Sequence, residues 1–379
     1  MKKFVSALIT MVLAFSLFLG TNVSALTKTG NYQYDEKFHA IPGPQTHVAS
    51  SVLYGCNIGV GNFSEPSDIF VDANKNIYLA DTGNNRIVVL NSDMKPVRII
   101  ETVASADGKN TLSEPKGVFA KGAYVYICDT GNFRVIAVDS ENRVVRLVEG
   151  KDLMSVNKNF VFKPEKVVVD SNDNILVSSP AVYQGIMRFD ENDHFKAFFA
   201  PNEVTTGFAT FVTSALKKIF TDAQKESLQK NLPSPYSNLY IDKENFIYAT
   251  AENVNQGQNI KKLNSSGTNI LAYSSAMEEN QTFGDYESKS EKTNFADIHC
   301  DENGYMLVAD SASQKLFLYD RECNLISVFG GMGKANGQFS KISAVEKLND
   351  DYLVLDSELG TVIFSKAKMR KRSTFFWYC

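Results

Sequence analysis

Apolar residues along most of this chain come in short runs with turn residues between them, and the runs return in threes. The first set is "SDIFVD" (67–72), "NIYLAD" (76–81) and "NRIVVL" (85–90), separated by Ala-Asn-Lys and Thr-Gly-Asn. Short runs rich in Val, Ile and Tyr between Asn, Asp and Gly predict strands joined by tight turns. The turn residues supply positive φ and local side-chain hydrogen bonds. The phrase "LADTGNNRIVVL" (79–90) returns 48 residues later as "ICDTGNFRVIAV" (127–138), which marks a repeat.

Aligned on the opening phrase, six units appear: 63–93, 112–142, 162–192, 234–267, 293–323 and 339–366. Each carries three strands, and connectors such as "PVRIIETV" (96–103) and "NLISVFGG" (324–331) supply a fourth. Four antiparallel strands cannot bury both faces alone, whereas units stacked radially can. The pattern therefore predicts an all-β fold, a six-bladed β-propeller spanning 46–366. Its closure is predicted too. The run "THVASSVLYG" (46–55) has no hairpin partner of its own and should pair with "TVIFS" (361–365) as the outermost strand of the last blade, removing exposed edges.

Spacing locates the departures. Ser179 to Ala251 is 72 residues, against 46 to 50 between equivalent positions elsewhere. The excess falls on 204–232, where Phe208, Phe211, Val212, Ala215, Leu216, Ile219, Phe220 and Ala223 follow helical period. A short helical insertion over about 206–230 is expected between blades three and four, packed on the propeller or roofing one mouth of the channel.

The motifs P-x-[DG]-[IV]-x-V-D, I-Y-x-x-D-[TS]-G-N-x-R-[IV] and "FGGMGKANGQFS" resemble the NHL repeat over about residues 50–365. The resemblance is strongest in units one, two and five. Unit three lacks the DTGN turn, unit four carries insertions, and unit six is degenerate. The segment "YQYDEKFHAIPGPQTHV" (32–48) is similar to the start of secreted NHL-repeat proteins of Gram-positive bacteria. In such relatives helical repeats and a membrane segment commonly follow the propeller. Here "KAKMRKRSTFFWYC" (366–379) matches nothing in the repeat, and the 367–379 tail is expected to be truncated or frame-altered.

Composition narrows the partners. Net charge is −4 with no basic stripe, so nucleic acid is not expected. Lys2 and Lys3, an apolar run from Phe4 to Gly20 and the small residues of "NVSA" predict a signal peptide over 1–25 and export of the protein, followed by an N-terminal extension over 26–45. No membrane span is expected after its removal. Cys56, Cys128, Cys300, Cys323 and Cys379 form no C-x-x-C pair and read mostly as small buried apolar residues.

Chemistry is sparse. His39, His47, His194 and His299 do not fall at equivalent positions, so a zinc site of converging imidazoles is not expected. "DANKN" (72–76), "DSNDN" (170–174) and "DENG" (301–304) read as turns, because an EF-hand would need a Glu where Ala181 stands. Asp81–Arg86, Asp129–Arg134 and Asp310–Lys315 recur with equal spacing and read as partly exposed ion pairs worth roughly 0–1 kcal/mol each. Polar character gathers where the inner strands open. Two residues after the repeat's Pro position the units read Asp68, Gly117, Lys166, Asn238, Asp297 and Ser343. Two further on they read Phe70, Phe119, Val168, Tyr240, His299 and Val345.

From these rings we expect a ligand site at the channel mouth built from Asp68, Lys166, Asn238, Tyr240, Asp297 and His299. No cofactor is expected; the ion such a ring could take is Ca2+, held if at all by Asp68, Asn238 and Asp297 against an opposing Lys166. Lactonase-like propellers, which the fold resembles, hold calcium in this way, but their ligand set does not match here. The expected function is a secreted or cell-surface, non-catalytic binding module for a protein, peptide or carbohydrate. The alternative is a metal-dependent lactonase- or lyase-like enzyme working in the channel.

Overall fold

The inner strands of six sheets form a ring in the computed structural model, which describes residues 31–34, 40–43, 46–156, 160–201, 235–251, 259–271, 283–284 and 293–367. These strands are Asp68–Val71, Pro115–Lys121, Lys166–Val169, Tyr236–Ile241, Phe295–Cys300 and Ile342–Leu348. Each touches the next, and the sixth touches the first. Adjacent sheets bury their apolar faces against each other, so the core is a set of seams. One seam joins Ala80, Ile87 and Ile100 of blade one to Val118, Ile127 and Ile136 of blade two.

Closure follows the expected route: Thr361–Ala367 pairs with His47–Tyr54, with Ile363 opposite Val52. Blades one to three have four consecutive strands, and blade four has three among the described residues. Blade five has two more than its repeat supplies. Tyr32–Tyr34 pairs at Val328 with its outermost strand, and Ala40–Pro42 pairs with Tyr32–Tyr34. The aromatic ring of Tyr32 anchors this addition in the core, with the Lys315 ammonium 5.1 Å from its centroid.

The DTGN turns are more than hairpin connections. Asp81 accepts the Ser64 N–H (2.7 Å), the Asn84 amide (2.9 Å) and Arg86 Nε (2.7 Å). Asp129 does the same with Ser113, Asn132 and Arg134. The Thr hydroxyls reach across, Thr82 to the Pro115 carbonyl (2.7 Å) and Thr130 to that of Pro164 (2.6 Å), tying each turn to the following blade. The left-handed residues are Asn85 and Phe133, while the turn glycines serve close approach. A Cβ on Gly83 would sit 2.5 Å from Ser64 Oγ. The ion pairs are also deeper than their spacing suggested. Asp81, Asp129 and Arg134 are fully buried, and the 105–109 connector folds over Arg134 through Ser105, Asp107 and the Lys109 carbonyl. Asp310 takes the Asn294 N–H and the Ser313 hydroxyl instead, and Lys315 turns to Tyr32.

The described helix is Lys151–Val156, between blades two and three. The helix expected over 206–230, the signal segment 1–25 and the tail from 368 lie outside the described residues. Among the described residues no helix is long and apolar enough to cross a membrane.

Candidate functional site: the propeller channel

Three tiers of side chains descend from the end where inner strands begin. The uppermost is the residue just after the Pro position: Ser67, Lys116, Glu165, Ser237, Ala296 and Ser343. In four blades a bulge falls here, at 115/117, 236/238, 295/297 and 342/344, leaving this residue out of the ladder. Five of the six, from blades one to five, line an open cavity of about 290 Å³ together with Lys166, Pro180, Pro235 and Tyr236. The tier is stitched across blades. Ser67 donates to the Lys116 carbonyl (2.8 Å), Ser343 to that of Pro66 (2.9 Å), and Lys116 Nζ pairs with Glu165 Oε1 at 2.5 Å.

The second tier holds Asp68, Gly117, Lys166, Asn238 and Asp297 as expected, but the sixth member is Ala344 rather than Ser343. Unit six has no Pro, and its phase is set by Phe339-Ser340, which match Phe63-Ser64. Both serines donate their N–H to the turn carboxylate, Asp81 or Asp356. Ala344 stands opposite Leu355 as Asp68 stands opposite Ala80. The third tier shifts likewise, to Phe70, Phe119, Val168, Tyr240, His299 and Glu346. Glu346, not Val345, is thus a channel residue, and counting from the Phe-Ser pair would have found it.

The second tier has an internal logic. Asp68 accepts the Val118 N–H of blade two (2.8 Å), and Asp297 accepts the Val345 N–H of blade six (2.7 Å). The residue before each donor is small, Gly117 or Ala344, which leaves the carboxylate room to reach the next blade. Gly117 also leaves room for Lys166, whose ammonium passes from blade three to Asp68 of blade one at 2.5 Å. A Cβ on Gly117 would lie 2.4 Å from the Glu165 carbonyl oxygen and 3.1 Å from Lys166 Cα. The Asn238 amide donates to Asp297 Oδ1.

All these groups are more than nine-tenths buried. Burial pushes the Asp68 carboxyl above its ordinary range despite the ammonium beside it, and raises Asp297 to about 7, with the charge of Asp68 adding to the effect. One ammonium cannot fully neutralise two carboxylates out of water, so the second holds a proton to near neutrality. Burial alone would depress Lys166, but Asp68 and Asp297 outweigh it and hold the ammonium charged.

The six expected residues are thus all in the channel, at two depths. Asp68, Lys166, Asn238 and Asp297 surround a central void of about 20 Å³, room for roughly one water. Tyr240 and His299 lie a layer below, their rings 5.0 Å apart, with His299 Nδ1 facing Glu346 Oε1. His299 Nε2 is buried without a hydrogen-bond partner among the described residues. Of these six, only Lys166 borders the mouth cavity as well as the void.

The donor set does not fit a divalent cation. The carboxylate oxygens of Asp68 and Asp297 already accept backbone N–H groups, an amide and the Lys166 ammonium, which stands where a cation would. Among the described residues no group of three or more His, Cys, Asp or Glu is arranged to hold a metal ion.

Residues 63–90 match the NHL repeat. Comparison with curated proteins finds no match. Among solved structures, the chain is similar to a protein of unknown function from Bacteroides thetaiotaomicron, at 12% identity and a TM-score of 0.53, over 85% of this chain and 73% of that one. It is also similar to virginiamycin B lyase from Staphylococcus aureus, at 9% identity and a TM-score of 0.48, over 80% and 95% of the two chains. The computationally designed protein Ika8 is similar at 8% identity and a TM-score of 0.44, over 80% and 85%. At these identities the likeness is one of fold. With its blade count, closure and the match at 63–90, the chain is a six-bladed β-propeller carrying the NHL repeat.

Proposed function

We propose that this propeller is a secreted, non-catalytic binding module whose ligand sits in the mouth cavity. The observation that carries the reading is that cavity. It is about 290 Å³, open to solvent, and lined by the same repeat position of five blades. Apolar walls with a few converging polar groups are the ordinary make-up of a ligand site. Beneath it the channel holds paired charges and tilted aromatic rings, Phe70 and Phe119 4.7 Å apart, around a void with room for roughly one water. Export rests on the 1–25 segment, and a protein, peptide or sugar of the cell exterior is the partner class that goes with it.

A second reading, a channel enzyme, is favoured by the buried His299–Glu346 contact and by the raised Asp297, since displaced titrations gather at active sites. One experiment separates the two. The protein is screened against peptides, glycans and lactones, with amide-shift mapping for binding and product analysis for turnover. The binding reading expects shifts at Ser67, Lys116 and Ser237 with no product. Turnover that His299→Ala abolishes would establish the enzyme instead.

A further inference from the structure

We propose that the mouth cavity selects a ligand bearing a carboxylate next to an apolar group, as on a free organic acid or a peptide C-terminus. This rests on the binding reading above and names the chemistry of that same site. Three charged side chains line the cavity, the ammoniums of Lys116 and Lys166 and the carboxylate of Glu165. The lining residues thus carry two ammoniums against one carboxylate, with Asp68, the partner of Lys166, in the tier beneath.

The hydrogen-bond inventory sharpens the charge argument. Ser67 and Ser237 point their protons away from a ligand, to the carbonyls of Lys116 (2.8 Å) and Phe295 (3.2 Å). The Tyr236 hydroxyl donates to the Ala200 carbonyl and accepts from Lys261, both at 3.0 Å. The lining side chains that keep protons to give are the two lysines. Each ammonium has three, and Glu165 and Asp68 take one apiece. A ligand that only accepts, with negative charge, is what such a lining satisfies. A cationic ligand would find one carboxylate, already engaged by Lys116. Pro180, Pro235 and Ala296 form the remaining wall and offer apolar surface to the rest of the ligand.

The test uses the full chain and matched probes. N-acetylphenylalanine, its amide and phenylalanine amide present one scaffold as anion, neutral molecule and cation. A pentapeptide ending in Phe, with free or amidated C-terminus, is the peptide arm. Dissociation constants come from calorimetry, and amide shifts locate the site.

The acids should bind with shifts at Ser67, Lys116 and Ser237. Lys116→Gln should weaken them roughly tenfold or more, by loss of a charged hydrogen bond. Glu165→Gln, which removes the competing carboxylate, should tighten them. Preference for the free acid or for the peptide then identifies the source. Equal binding of the amides, tighter binding of the cation, or an unchanged constant in Lys116→Gln would overturn the proposal while leaving the cavity a binding site. Acids that bind with shifts elsewhere, or no binding by any probe, would overturn both.

Discussion

Carboxylates are buried at two radial positions in these blades, and their surroundings differ in kind. In the turns of blades one and two, Asp81 and Asp129 meet the same partners: an incoming Ser N–H, an Asn amide and an Arg guanidinium. In the channel, Asp68 and Asp297 meet side-chain partners that do not recur, one a lysine from two blades away and the other an asparagine from the blade before. The first arrangement gives each carboxylate its own cation and full hydrogen bonding, and it can be copied. The second makes two carboxylates share one cation in a space that the inner strands define together. Repetition marks the scaffold here, and broken repetition marks the one place where the six units must solve a problem jointly.

That contrast can be broken most forcefully at Asp129. Asp129→Ala leaves Arg134, fully buried, without its nearest carboxylate. Losing one partner of a buried pair costs about 3–5 kcal/mol. Asp107, 2.9 Å from Arg134 Nη1, retains part of the charge balance and should keep the loss near the lower figure. Denaturant unfolding should show a large drop in midpoint, with cavity affinities unchanged once the protein is folded. A midpoint within error of the parent would mean that the turn carboxylates are not scaffold.

Gly117→Ala probes the other position with a smaller expected effect. The added methyl would meet the Glu165 carbonyl at 2.4 Å, and a backbone atom cannot rotate away. A cost of about 1–3 kcal/mol is expected, as for other insertions into a packed interior. Since the shift falls on 165–166, it should also disturb Lys166 and the acid-binding lining. A stable variant with full affinity would show that the reach from blade three to blade one does not depend on that glycine.

Blade count, closure and the channel position of six site residues were legible because a repeat exposes equivalent positions without an alignment. The phase of unit six was not legible from the Pro rule, because Ile342 stands where Pro66 does. Glu346 was therefore passed over for Val345. Depth was also hidden. The spacing Asp129–Arg134 says that two groups can meet, but the connector folded over Arg134 decides that the meeting is dry. The mouth tier escaped notice for a related reason: bulges lift Lys116 and Ser237 out of the strand ladder, and a strand-period reading looks past bulged residues. The Tyr32–Tyr34 addition to blade five is three residues long and pairs across nearly 300 positions, beyond any local pattern.

pH offers a way to set the channel against a seam. His47, stacked 4.6 Å from Phe329 of blade five and 5.2 Å from Tyr352 of blade six, is held at about 4 by burial and by the charge of Lys347. Its folded value lies below its unfolded one, so its stabilisation is present above pH 6.5 and lost as pH falls toward 4. Asp297 is raised to about 7, so its stabilisation is present below about 4 and lost as pH rises through 7. Between pH 5 and 7 the two oppose each other. His47→Phe should therefore become less stable as pH rises across that window, and Asp297→Asn less stable as it falls. The slope is the readout, since either substitution also changes the level. Parallel slopes in the two variants would remove the channel from the account.

The smallest expected effect is at the rim. Lys116 and Glu165 form a pair at 2.5 Å, but their side chains are 39% and 30% exposed, and a pair so open to solvent contributes little. Lys116→Gln should change unfolding stability by less than about 1 kcal/mol. It keeps the aliphatic stem and leaves Glu165 able to hydrate, so neither a cavity nor a buried charge is created. The same substitution is the one expected to weaken acid binding strongly, and the dissociation of the two effects is the point. At Asp129 stability should fall with affinity intact, whereas at Lys116 affinity should fall with stability intact. Thermal midpoints and dissociation constants measured on both variants in one buffer would place each residue on its side. A Lys116→Gln midpoint that falls as far as that of Asp129→Ala would make the rim part of the scaffold and leave the binding surface without its cation.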